Sequence, residues 1–163
     1  MKIAVLSDIH DNISNLKKTI EICKNKWVEE IINCGDQCSP FVTRIMWEDF
    51  SWPIHVVFGN NDADKLHMNE YAQKFKNIIL HGERAELEIE AKKIFVTHYP
   101  VYAQHAIETW RFDYVFYGHT HKASEEKIWN CLLVNPWEVA GVFSSPSFAV
   151  VDLESGEVEN IQI

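Results

Sequence analysis

The strongest constraint on the fold is an alternation of strand-like and helix-like periods along the first half of the chain. "KIAVLS" (residues 2–7) is a short continuous apolar run, the pattern of a strand covered on both faces. Ile13, Leu16, Ile20, Cys23 and Trp27 then recur at three- and four-residue steps, which predicts a helix with one buried stripe. "EIIN" (30–33) predicts a second strand, and "SPFVTRIMWEDF" a helix capped by Ser39 with Pro40 in its first position. "IHVVF" (54–58) and "DKLHMNEYAQKF" repeat the unit. Strands separated by helices are joined by crossovers, so this half predicts a parallel sheet of βαβ units.

The second half changes character. "AELEIE" (85–90) alternates cleanly, "KKIFVT" (92–97) follows after a tight connection, and "YVFYG" (114–118) is strand-like. Beyond residue 123, "SEEKIW", "CLLVN", "SFAVVDLE" and "EVENIQI" predict short strands, with Ser155-Gly156 the clearest hairpin turn. The expected class is α/β: two packed mixed β-sheets flanked by helices. With 163 residues and 47% hydrophobic content, residues 1–163 suit a single domain with one continuous core.

Charge narrows the partners. The 24 acidic and 15 basic residues leave a net charge of −9, and no Lys/Arg cluster offsets it, so duplex nucleic acid is excluded. Small phosphate esters are not, because bound metal ions reverse the field inside one cleft. No apolar run is long enough for a bilayer. The start, "MKIAVLSDIHDN", lacks the length and cleavage site of a signal peptide. A cytoplasmic protein without a membrane partner is expected. Cys23, Cys34, Cys38 and Cys131 form no CxxC pair and are read as reduced, small hydrophobic residues.

The chemistry lies where strands end. The first ends in Asp8-Ile9-His10, the second in Gly35-Asp36, the third in "GNND", which holds Asn60. "IFVTH" ends at His98, and "VFYGHTH" in His119 and His121. Ligands of open α/β sheets gather at the carboxyl ends of strands. Asn and Asp also favour turns, but seven oxygen and nitrogen donors at five strand ends exceed what turns need. Two carboxylates, one carboxamide and four imidazoles suit Mn²⁺, Ni²⁺, Fe²⁺ or Zn²⁺ rather than an oxygen-only cage. Seven donors are too many for one tetrahedral ion and fit two ions sharing a carboxylate. A pair of dications about 3.5–4 Å apart is the arrangement used for in-line displacement at phosphorus.

In its order D-x-H, G-D, G-N-x-[DE], H, G-H-x-H, the chain resembles the calcineurin-like metallophosphoesterase superfamily, and its length resembles the small single-domain prokaryotic phosphodiesterase branch. The resemblance runs from Asp8 to about Asn135-Pro136. It implies an αββα sandwich with one metal on Asp8, His10, Asp36 and His121 and a second on Asp36, Asn60, His98 and His119. Mn²⁺ is the first choice of ion. The implied activity is hydrolysis of a small phosphodiester by in-line attack of a metal-bridging hydroxide.

Several positions depart from the family pattern. Many members carry His after the motif's Asn, where this chain has Asn61, a hydrogen-bond donor to a phosphoryl oxygen but no proton donor near neutral pH. Asp62 is expected to orient the loop or a ligand. Asp11 and Asn12 open the first helix, where either caps it. Tyr99-Pro100 and Trp137-Glu138 replace the family's usual Gly-His and Gly-Ser, and Tyr99 and Trp137 offer aromatic faces for a nucleotide-derived diester. Two other readings remain: a protein-interaction scaffold with feeble catalysis, like the retromer subunit of this fold, or a phosphomonoesterase. Exposed sheet edges also leave room for a homo-oligomer.

Overall fold

The computed structural model describes residues 1–163. The strands and helices run, in chain order, β1 (Lys2–Leu6), α1 (Ile13–Asn25), β2 (Glu30–Asn33), α2 (Pro40–Asp49), β3 (Ile54–Val56), α3 (Lys65–Lys74) and β4 (Ile78–Leu80). They continue with β5 (Arg84–Ile89), β6 (Lys92–Thr97), α4 (Pro100–Glu108), β7 (Tyr114–Phe116), β8 (Ser124–Ile128), β9 (Cys131–Asn135), β10 (Ser147–Asp152) and β11 (Val158–Gln162). Two mixed sheets result, ordered β11-β10-β1-β2-β3-β4 and β5-β6-β7-β9-β8. The βαβ half makes β1 to β4 parallel, and β10 closes on β1 antiparallel. In the second sheet β6, β7 and β9 are parallel and β5 and β8 are antiparallel neighbours.

The two faces of the central strands go to different cores, as the period of two requires, so the one continuous core expected from the sequence is divided into three clusters. Ala4, Leu6, Ile31, Ile54 and Val56 face helices α1 and α2, packing on Leu16, Ile20, Cys23, Val42 and Met46. Ile3, Val5 and Ile32 face the other sheet, meeting Ile94, Val96, Phe116 and Val134. On the far side, Phe95, Val115 and Leu133 pack on Ala103, Ala106 and Ile107 of α4. The layers are therefore helices, sheet, sheet, helix. No helix is long and apolar enough to cross a membrane.

Two local expectations are corrected, and two elements were not expected. The α1 stripe stops at Cys23: the helix ends at Asn25, and Trp27 turns outward at φ 59° and is 83% exposed. Two elements escape the sequence patterns, the three-residue strand β4 and helix α4, which starts at Pro100. Ser39 precedes α2 but makes no side-chain cap bond. The cysteines are free, as expected.

Candidate metal centre

Strands β1, β2 and β3 of one sheet and β6 and β7 of the other end on the same side, and their loops converge. The backbone ties there are specific: Asp8 N–H bonds to Gly35 O at 3.0 Å, His10 N–H to Asp36 O at 3.0 Å, and Gly118 N–H to His98 O at 3.2 Å. All seven sequence-derived donor residues meet in this place. Five of them, Asp8, His10, Asp36, His119 and His121, have φ between 43° and 71°. Non-glycine residues in that left-handed region cost of order 1–3 kcal/mol each and cluster at functional sites, where surrounding structure holds them.

The donor atoms form two groups. Asp8 Oδ1 lies 3.6 Å from His10 Nε2 and 3.3 Å from His121 Nε2. Asn60 Oδ1 lies 3.2 Å from His98 Nε2 and 3.0 Å from His119 Nδ1. Asp36 Oδ2 stands between the groups, 3.7 Å from His10 Nε2 and 3.4 Å from His98 Nε2. Donors about 2.0–2.2 Å from a common ion sit roughly 3 Å apart, so these spacings suit shared cations.

Two observations show that the residues fit metal ions. Asp8 Oδ1 and His10 Nε2 are buried and have no hydrogen-bond partner, although they face each other. Buried polar atoms are paired in almost every native site, and a cation satisfies both of these together. Asp8 and Asp36 are also buried close to each other, and the only cationic side chains near them are histidines. Adjacent buried carboxylates without Lys or Arg call for a positive ion.

The supporting residues hold the donors in place. His98 Nδ1 bonds to Cys34 O at 2.9 Å, directing Nε2 inward. Asp62, buried behind the "GNND" turn, accepts N–H bonds from Gly59 (2.7 Å), Asp36 (2.9 Å) and Cys38 (2.8 Å). Burial lifts its carboxyl above the ordinary range despite those donors. Burial also opposes ionisation of Asp36, but hydrogen bonds from His98 and Asn61 outweigh it and hold that carboxyl well below the ordinary range. Asn135 Nδ2 bonds to Gly118 O (3.0 Å) and Thr120 Oγ1 (3.1 Å), fixing the loop that carries His119 and His121.

Sequence reasoning missed Glu138 as a functional residue. Fully buried, it accepts from His121 Nδ1 at 2.7 Å through Oε2, and from Phe143 N–H, Ser144 N–H and Ser144 Oγ through Oε1. Burial disfavours its charge, but the His121 bond and the two backbone donors prevail and lower its pKa. The signal was available, because Glu138 follows β9, which is parallel to β7 and so ends on the same side. Glu138→Gln leaves one acceptor oxygen where two now serve His121 and the loop. Calorimetric titration of Mn²⁺ into metal-free protein is expected to show affinity about 10–100-fold weaker. Unchanged affinity would remove Glu138 from the support of His121.

Other expectations come out differently. Asn61 directs its amide onto Asp36 Oδ2 at 2.7 Å, and its N–H onto Asp36 Oδ1 at 2.8 Å, rather than into open cleft. Cys38, read as a small hydrophobe, has its Sγ 3.5 Å from His10 Nδ1. The cap expected of Asp11 or Asn12 is Asn12, which accepts from Asn15 N–H at 3.1 Å, and Asp11 accepts from Ser39 N–H at 3.0 Å and joins two site loops. Tyr99 stands against His98, with ring centroids 5.2 Å apart.

Loops from two sheets that gather carboxylates, an amide and imidazoles at their strand ends define a metallophosphoesterase-type centre, and the chain belongs to the calcineurin-like phosphoesterase superfamily, whose domain matches residues 1–156. It is similar to phosphodiesterase MJ0936 of Methanocaldococcus jannaschii, 33% identical over 99% of this chain and 98% of that protein. A solved archaeal phosphodiesterase superposes with a TM-score of 0.94 at 32% identity, covering 100% of both chains. Vacuolar protein sorting 29 from Cryptosporidium parvum shares the fold, with a TM-score of 0.68 at 18% identity over 99% of this chain and 96% of that one.

Proposed function

We propose that the protein is a dinuclear-metal phosphodiesterase acting on small phosphodiesters, with residues 1–163 working as one domain. The observation that carries the reading is Asp36 Oδ2, set between His10, which lies with Asp8 and His121, and His98, which lies with Asn60 and His119. The first group plus Asp36 would hold one ion, and the second plus Asp36 the other. Bound ions supply an activated water and neutralise charge for in-line displacement at phosphorus. The mixed oxygen and imidazole donors favour Mn²⁺, with Ni²⁺, Fe²⁺ and Zn²⁺ as alternatives.

The chain's own groups support a diester. Asp62 and Glu138 are buried acids behind the ligands and make the surrounding field more negative. A monoanionic diester meets less repulsion there than a dianionic monoester. The relative from Methanocaldococcus jannaschii is itself a phosphodiesterase. Metal analysis of protein reconstituted with Mn²⁺, together with turnover of bis(p-nitrophenyl) phosphate, tests the reading. Two ions per chain and diester turnover above monoester turnover are expected. Two ions with no turnover of either ester would leave a scaffold, and faster turnover of the monoester would leave a phosphomonoesterase.

The leaving group departs with little proton assistance in this reading. Asn61 is bonded to Asp36 and carries no titrating proton, and the cleft histidines are taken up as ligands. General acids contribute roughly 10²–10⁴-fold. Aryl diesters at saturating Mn²⁺ should therefore exceed matched alkyl diesters in kcat by at least that factor. Similar kcat values for both would place a general acid in the cleft.

A further inference from the structure

We infer that Phe143 is a stacking platform for a planar aromatic group, nucleobase or aryl ring, carried by the phosphate ester in the metal centre. The inference rests on the phosphodiesterase reading and names the part of the substrate that lies beyond phosphorus.

Phe143 is 76% exposed, and its ring meets His121 edge-on at 4.9 Å between centroids, with the planes 80° apart. A large apolar ring is thus held in solvent directly beside a residue of the donor set. An exposed Phe on a slack loop would need no explanation. This loop is not slack: Phe143 N–H and Ser144 N–H each reach Glu138 Oε1 at 2.7 Å, and the other oxygen of Glu138 holds His121 at 2.7 Å. The near end is tied by Val139 N–H to Ser7 O (3.0 Å) and Ala140 N–H to Asp8 O (2.9 Å), and the far end by Ser147 N–H to Glu138 O (2.9 Å). One buried carboxylate therefore sets the position of His121 and of the segment bearing the ring. The backbone that carries the ring keeps its place relative to His121.

That coupling suits recognition of an ester arm. A ring anchored through its backbone beside His121 offers a flat face to a group carried near the metal centre. Every nucleobase and aryl ring has a π-face, so the platform selects planarity rather than a hydrogen-bonding pattern. Of the two aromatics singled out from the sequence, Trp137 makes no ring contact with a donor histidine, and Tyr99 meets His98 and His119 but is half-buried, whereas Phe143 stands exposed beside His121.

Equilibrium binding to the Mn²⁺-loaded protein tests the assignment independently of turnover. The probes are inorganic phosphate, methyl phosphate, phenyl phosphate and adenosine monophosphate. Phe143→Ala should weaken adenosine monophosphate, phenyl phosphate or both about tenfold and leave inorganic and methyl phosphate unchanged. Phe143→Tyr should restore the affinity, and Phe143→Leu, which keeps bulk without a π-face, should not. Loss confined to adenosine monophosphate assigns a nucleobase, and loss confined to phenyl phosphate assigns a simple aryl arm. Equal affinities of wild type and Phe143→Ala for both aromatic ligands, or equal weakening of all four, would overturn the inference. Failure of the phosphodiesterase reading shows separately, as wild-type protein that does not turn over bis(p-nitrophenyl) phosphate.

Discussion

Asp36→Ala is expected to lower kcat by at least about three orders of magnitude and to reduce bound Mn²⁺ from two ions per chain to one or none. Electrostatic stabilisation by a metal pair is worth several kcal/mol, and about 4 kcal/mol is roughly a factor of 10³ in rate. A single oxygen of Asp36, Oδ2, lies within 4 Å of a histidine from each donor group, 3.7 Å from His10 Nε2 and 3.4 Å from His98 Nε2. Removing any terminal ligand costs one contact to one ion, whereas removing Asp36 costs the contact that spaces the pair. The fold should survive. Asp36 follows β2 in a loop held by its backbone, with its N–H on Asp62 and its carbonyl accepting from His10 N–H. Loss of its carboxylate also relieves the repulsion from Asp8 in metal-free protein. Metal analysis, steady-state kinetics and a thermal melt of the metal-free variant read all three parts. A variant that keeps two ions and wild-type kcat would show that Asp36 does not bridge.

The donor set was legible because two independent patterns coincide. Short continuous apolar runs place the strand ends, and donors recur at those ends at spacings that turns alone do not require. Geometry within the site was less legible. Asn61 has the composition of a turn residue and of a phosphate contact alike, and only packing shows its amide spent on Asp36 at 2.7 Å. Glu138 and Phe143 belong to a segment with neither strand nor helix periodicity, so the link from ring to carboxylate to imidazole is invisible before folding. The missed elements have similar causes. Strand β4 has three residues, too few to display alternation. Helix α4 buries only Ala103, Ala106 and Ile107, a face too narrow to stand out in nine residues. Trp27 fits the helical step from Cys23, but the chain has left the helix by then and turns through a left-handed residue.

A single methyl group placed outside the donor set should be nearly as damaging. Gly59 passes so close to the proposed bridge that a Cβ there would overlap Asp36 Oδ1, and it would lie 2.8 Å from both Asp36 Cγ and Asp36 N. The carboxylate cannot step aside freely, because Asn61 N–H holds Oδ1 at 2.8 Å and the Asn61 amide holds Oδ2 at 2.7 Å. Gly59 cannot retreat either, since its own N–H is fixed on Asp62 Oδ2 at 2.7 Å, the oxygen that also holds Asp36 N–H. Gly59→Ala must therefore shift Asp36, Asp62 or the Asn60 loop. A misplacement of about 1 Å at such a site costs roughly 10²-fold in rate. Overpacking of this kind costs about 1–3 kcal/mol, or roughly 2–12 °C in Tm for a chain of this size. Both losses should appear together, with weaker binding of the ion that Asn60 would hold. A lower Tm with unchanged metal affinity and rate would mean that the protein relaxes away from Asp36, and the carboxylate would then have more freedom than its four surrounding contacts imply.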